Sequence, residues 1–303
     1  MPSFLPSLTA VLCWGAMFPI ADSALQRVDA AHITAIRYGS AALVFLGLLA
    51  AVEGRRALRY EGRFGRAFVL GTAGFAGFNL LSFAGLPHTT PQHAALIVAT
   101  MPLITVLARW RMTGERPATR LLACVGVALL GVALVITDGD PAAAVHGGAG
   151  DVLVLAAAVC WVRYTLGAAE VPDWSPLRYT ALSAAAGTLS IIAIAIAGDV
   201  TGVLTAPSAD DVAAVAPQLA YVVVFGAVLG VLGWNAGVRR LGPANAALFM
   251  NLVPVTTFAI EAFRGAEPAP VELLGAGIAM AALVAANVAG RAPVRRPALT
   301  RAA

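Results

Sequence analysis

One pattern of residues occurs twice in this chain, and the charges around it reverse the second time. Gly77-Phe78-Asn79 and Gly233-Trp234-Asn235 are each followed, eight residues after the Asn, by a proline, Pro87 or Pro243. His93-Ala94-Ala95-Leu96, Pro102 and Glu115 then recur as Asn245-Ala246-Ala247-Leu248, Pro254 and Glu267, at a constant offset of 152. Cys13-Trp14 recurs as Cys160-Trp161. The arginines that crowd the loops of the first copy are nearly absent from the matching loops of the second. Two copies threaded oppositely through a bilayer carry this signature, because cytoplasmic loops collect basic residues and outer loops do not. The pattern points to a solute pathway before any catalytic motif is sought.

Composition agrees. The chain is 59% hydrophobic and only 12% charged, with a mean hydropathy of +0.82. A soluble chain of 303 residues needs far more polar surface. All 20 basic residues are Arg, and they are not interleaved with aromatics, so no nucleic-acid partner is expected. Cys13, Cys124 and Cys160 lie inside apolar runs, without disulfide or metal-ligand spacing. No metal or other cofactor is expected. Residues 4–25 lack a basic leader region and a cleavage site, and read as a retained first span.

A spanning helix needs about 20 mostly apolar residues. Ten such runs are expected, at roughly 4–22, 31–52, 67–86, 89–109, 119–137, 150–168, 177–198, 213–237, 243–263 and 270–290. No strand-like alternation is sustained, which argues against a barrel. The even-numbered loops and the C-terminal tail hold 17 Arg, and the opposite side holds only Arg27 and Arg264. This places both termini in the cytoplasm of a multi-pass plasma-membrane protein. The expected fold is all-α: ten transmembrane helices as two inverted five-helix repeats, residues 1–140 and 147–291, followed by a cytoplasmic tail, 292–303. Because five is odd, equivalent helices cross in opposite directions, with a site expected near the midpoint.

The polar and aromatic residues inside the spans are the candidates. Trp14 and Trp161 sit mid-span, where Trp is unusual. They would be flat walls of a cavity, or bulk filling a bundle rich in Ala and Gly. Asn79 and Asn235 need hydrogen-bond partners in lipid. They would bond a substrate, close a gate or cap a helix end. His93 and Asn245 begin the fourth and ninth spans; His93 could couple a proton or be a satisfied neutral residue. Pro102 and Pro254 are expected to bend the interiors of those spans, as hinges or as packing devices. Asn251 lies one turn from Pro254, where the first half has Ala99. Glu115 and Glu267 read as helix caps. Glu261 is the most embedded acid and a second candidate for proton coupling. Arg37 is expected to snorkel outward from the second span, with Asp22 or an anionic group as alternative partners. Glycine stripes in the third and eighth spans suit close helix packing.

Gly148-Ala149-Gly150-Asp151 spells an intramembrane aspartyl-protease motif, but no second Asp lies mid-span to share its proton. No zinc-protease, serine-hydrolase or nucleotide-binding motif is present.

Trp14-Gly15, Arg37-Tyr38, Ala94-Ala95-Leu96 to Pro102 and Gly114-Glu115-Arg116 resemble the pattern of the EamA-type drug/metabolite transporter superfamily. Gly150-Asp151, Cys160-Trp161 and Pro254 to Glu267 extend the resemblance to about residues 8–290. The resemblance implies ten helices in two inverted halves, a central cavity and rocking between inward-open and outward-open states. It also implies export of amino acids and other small metabolites. The function expected is therefore a secondary transporter that exports a small neutral or zwitterionic metabolite, most plainly an amino acid. Other drug-like solutes, and a membrane scaffold or enzyme without transport activity, are the alternatives. The expected partners are a small-molecule substrate and the lipid bilayer, with monomer and homodimer both open.

Overall fold

The computed structural model describes residues 4–114, 116–137, 139–140, 148–241, 246 and 248–289. Every regular element among them is helical. The helices are α1 Leu5–Leu25, α2 Ala30–Val52, α3 Phe64–His88, α4 Pro91–Ala99, α5 Met101–Thr113 and α6 Thr119–Thr137. Then follow α7 Ala149–Gly167, α8 Pro176–Thr201, the short α9 Ala209–Ala214, α10 Ala216–Leu241, α11 Leu252–Phe263 and α12 Pro270–Ala289.

Six of these, α1, α2, α3, α7, α8 and α10, are long and apolar enough to cross a bilayer. Helices α4 and α5 form a seventh crossing if taken together across a 43° bend. Helices α6, α11 and α12 carry shorter apolar stretches. Leu43, Leu130 and Ile196 stand exposed on helix surfaces, as a lipid-facing side requires.

The ten spans expected from sequence are thus unequal, and the reason lies at the prolines. Helix α4 ends at Ala99 and α5 begins at Met101, so Pro102 occupies the first turn of a new helix. A proline is tolerated there because its missing N–H would have no intrahelical partner. Pro254 likewise falls in the first turn of α11, just after a 3-10 turn over Leu248–Asn251. The expected kink at Pro102 is therefore a break between two helices, and the one at Pro254 is a change from a 3-10 turn to an α-helix. Helices α3 and α10 also depart from regular geometry, with wide π turns at Thr72–Gly77 and Val222–Leu229.

Ion pairs among loops and helix ends define two ends of the bundle. At one end Arg27 meets Asp211, His32 meets Asp199, and His93 meets Asp151 and Glu272. At the other, Arg63 meets Asp173, Arg66 and Arg163 meet Glu170, and Arg178 meets Glu61. Close glycine crossings set the helix neighbours. A Cβ on Gly71 would lie 1.9 Å from the Ser183 carbonyl oxygen, and one on Gly187 would lie 2.4 Å from the Gly71 oxygen, so α3 and α8 cross backbone to backbone. Helix α3 also packs on α7, and α10 packs on α1. Helices α2 and α8 pair, as do α6 and α12.

Candidate functional site

Helix α2 places the central charge. Ile33, Arg37, Ala41, Phe45 and Leu49 recur every four residues and are all buried. That spacing puts them on one helix face, the face turned to the bundle. Arg37 therefore points inward and is 2% exposed. The expected snorkelling is overturned, because the direction of the side chain is fixed by the buried stripe it belongs to.

Arg37 Nη1 donates to Asn79 Oδ1 at 2.6 Å. Its guanidinium carbon lies 4.9 Å from the centre of the Tyr38 ring and 5.9 Å from that of Phe83. Such faces stabilise a cation through their quadrupole. Arg37 Nε has no hydrogen-bond partner, and among the described residues no carboxylate forms an ion pair with this side chain. A buried cation without a counter-charge is costly in hydrocarbon, so this one is left able to accept an anion.

The guanidinium borders a cavity of about 30 Å³, walled by Trp14, Tyr38, Phe78 and Trp161 and by the flexible side chains Met17, Met101 and Met250. Trp14 and Trp161 meet edge to face, with ring centroids 6.1 Å apart. Trp14 Nε1 donates to the Gly226 carbonyl at 3.0 Å, an acceptor in the wide turn of α10. Phe78 lies 5.3 Å from Trp161 and Trp234 lies 5.6 Å from Trp14, centroid to centroid. The middle residue of each copy of the Gly-aromatic-Asn pattern thus packs on one of the two mid-span tryptophans. A larger groove of about 540 Å³ opens at the arginine-rich end, beside Arg63, Arg66 and Arg163. Those arginines already have carboxylate partners, so we place the site at the central cavity.

The two asparagines do matching structural jobs with different chemistry. Asn79 is fully buried; its Nδ2 donates to the Phe75 carbonyl and its Oδ1 accepts from Arg37. Asn235 Nδ2 donates to Thr180 Oγ1 at 2.7 Å. Each ties its helix to a neighbour, α3 to α2 and α10 to α8, but only the first holds a charge. Asn251 is 3% exposed, and neither of its amide atoms has a hydrogen-bond partner. A buried polar group left so is expensive unless something else satisfies it.

The remaining candidates fall away from the cavity. His93 lies in the first turn of α4, with Nδ1 3.7 Å from Asp151 Oδ1 and Nε2 3.7 Å from Glu272 Oε1. Glu261 pairs with Arg264 at 2.6 Å. Pro254 is buried in the first turn of α11. Asn245 lies outside the described residues, as does Glu115.

Sequence reasoning missed Tyr38, Phe78 and Trp234 as members of this constellation, and gave Arg37 an anionic partner only as an alternative to snorkelling. Two signals were available. Arg37 shares the four-residue spacing of Ile33, Ala41 and Phe45, and the middle residue of the repeated pattern is aromatic both times.

The EamA-like transporter family pattern matches residues 3–137 and again residues 148–288. The uncharacterized transporter YrdR of Bacillus subtilis is 30% identical over 298 residues, covering 94% of this chain and 90% of that one. The uncharacterized transporter YyaM of the same organism is 31% identical over 283 residues, covering 92% and 91%. A probable terminal-alkyne amino-acid exporter of Streptantibioticus cattleyicolor is 27% identical over 285 residues, covering 91% and 90%. A solved structure with 21% identity superposes with a TM-score of 0.68, over 96% of this chain and 99% of that chain, and so shares the fold.

Proposed function

From the premise that the chain belongs to the EamA-like transporter family, we propose that it exports small zwitterionic metabolites of the amino-acid class by alternating access. Arg37 carries this reading. One buried guanidinium without an acidic partner matches one carboxylate, and the aromatic and methionine walls match an apolar or aromatic side chain. A single cation does not match a substrate with several negative charges. Export rather than uptake is supported by the distant relative named as a probable amino-acid exporter.

The cavity of about 30 Å³ holds roughly one water. Any amino acid needs more room, so binding requires the surrounding helices to part. The break between α4 and α5 and the 3-10 turn ahead of α11 fall at matching places in the two sequence copies, as expected of segments that line a transport pathway. The helix neighbours favour two exchanged halves, residues 1–140 and 147–291: α3 lies on α7 as α10 lies on α1. The end bearing Arg63, Arg66, Arg163 and Arg178 is cytoplasmic in this reading, together with both termini. The two arginines of the opposite end are both paired, Arg27 with Asp211 and Arg264 with Glu261.

Counterflow in proteoliposomes with a panel of labelled amino acids tests the substrate class. Exchange of at least one apolar amino acid, with no exchange of its carboxamide analogue, is expected. Equal exchange of acid and amide would remove Arg37 as the carboxylate site. If cysteine probes at positions 14, 79, 161 and 235 are unreachable from either side, the chain is a scaffold rather than a transporter.

A further inference from the structure

Three helices begin at one place and bring three titratable groups together. His93 is in the first turn of α4, Asp151 in the first turn of α7 and Glu272 in the first turn of α12. Each side chain is less than a quarter exposed. The two ring nitrogens of His93 each face one carboxylate, both at 3.7 Å. That is longer than a hydrogen bond but within ion-pair reach. Thr89 Oγ1 donates to Asp151 Oδ1 at 2.5 Å, and Glu272 accepts from the Ala269 amide, which fixes both acids in place. Each acid also lies in the first turn of its own helix.

We infer that His93, Asp151 and Glu272 form a proton-binding latch on the outer mouth, closed when His93 is protonated. The inference rests on the transport reading above for which end is outside. With neutral His93 the cluster carries two negative charges and nothing joins them. One proton converts the ring into a cation between two carboxylates, and ion pairs then link α4, α7 and α12. Helix α4 carries Val98 and α7 carries Trp161, both on the wall of the central cavity. Val98 lies five residues beyond His93, about 7.5 Å along the helix. Parting the three helix starts therefore uncovers the cavity, and joining them seals it. In an export cycle an outer proton would close the emptied carrier and speed its return.

Other charged groups near this end lie on elements packed against α4: Asp22 on α1, Glu261 with Arg264 on α11, and Asp140 after α6. His88 lies at the end of α3 and Glu267 precedes α12. A second histidine, His32, bridges Asp29 and Asp199 and ties α2 to α8 at the same end. It is the competing latch, and the test separates the two.

The test uses Val98→Cys in a background without the three native cysteines, labelled in whole cells with a membrane-impermeant maleimide. Val203→Cys, exposed at the same end, reports thiol reactivity at each external pH. A roughly tenfold preference of the closed state for the proton makes the normalised Val98→Cys rate fall by up to about tenfold between pH 8 and pH 5.5. His93→Gln abolishes that fall, and Glu272→Gln, which keeps His93 in place, reduces it. A fall that survives His93→Gln, or is lost only in His32→Gln, overturns the inference, as does a rate that never changes with pH. Failure of Val203→Cys to label from outside would instead refute the assigned topology, and absent counterflow would refute transport. Neither depends on the latch.

Discussion

Replacing Arg37 with Met separates a binding role from a structural one, because the two predict opposite outcomes. The substitution removes the guanidinium bond to Asn79 Oδ1, leaving a fully buried acceptor unpaired. An orphaned buried acceptor costs about 1–3 kcal/mol. Removal of an arginine from mid-membrane returns about 2.5–3.5 kcal/mol on the insertion scale. Met is similar in length and apolar, and it joins a wall that already has three methionines. The two terms nearly cancel, so the thermal midpoint of the purified variant should stay close to wild type or rise. Substrate affinity should respond differently. A charge-assisted hydrogen bond to a carboxylate is worth about 1.5–3 kcal/mol, so affinity for an amino acid should fall roughly tenfold to 150-fold. Arg37→Lys keeps the charge but loses the planar fork, and should lie between. Ligand-induced stabilisation in detergent measures midpoint and affinity on one sample. A variant that melts far below wild type yet binds with unchanged affinity would refute the reasoning, making Arg37 a structural strut.

Gly71→Ala should overpack the crossing of α3 and α8, since its Cβ would lie 1.9 Å from the Ser183 oxygen; a loss of about 1–3 kcal/mol or more is expected in melting experiments. Gly39→Ala, with nothing within 4 Å of the added carbon, is the neutral control. Asn79→Ala should destabilise more than Asn235→Ala, because the first strands a buried cation and the second a hydroxyl; about 1 kcal/mol is expected for Asn235→Ala, and the comparison is made by thermal midpoint. The Arg178 guanidinium donates to Glu61 and holds its carboxyl below the usual value of 4.5. A depressed folded pKa stabilises above the unfolded pKa, and that contribution fades as pH falls through the folded value. Any midpoint difference between wild type and Glu61→Gln should therefore be constant from pH 6 to 8 and vanish only in strong acid.

The membrane class, the helical fold and the family were legible in the sequence because they depend on periodicity and composition. A bilayer demands about 20 apolar residues per crossing, and this demand leaves its mark on every loop. The doubled pattern also marked Trp14 and Trp161, which do meet in the bundle. The unequal lengths of the helices were less legible. Pro102 and Pro254 announced a disturbance, but whether a helix bends or breaks is settled by what its freed carbonyls can reach across the bundle.

What sequence alone determined is a chain that must live in lipid as helices, with paired polar residues inside. Only the tertiary structure decided what those residues do. An arginine two turns inside a span has the reach to snorkel or to turn inward. The burial of the Ile33–Leu49 stripe, set by packing against other helices, chose inward. The same packing gave Asn79 to Arg37, 42 residues away in sequence, and brought His93 between acids from α7 and α12 that are more than fifty residues away. Sequence spacing cannot specify such meetings, because the distance between helices depends on every side chain and glycine along their crossings.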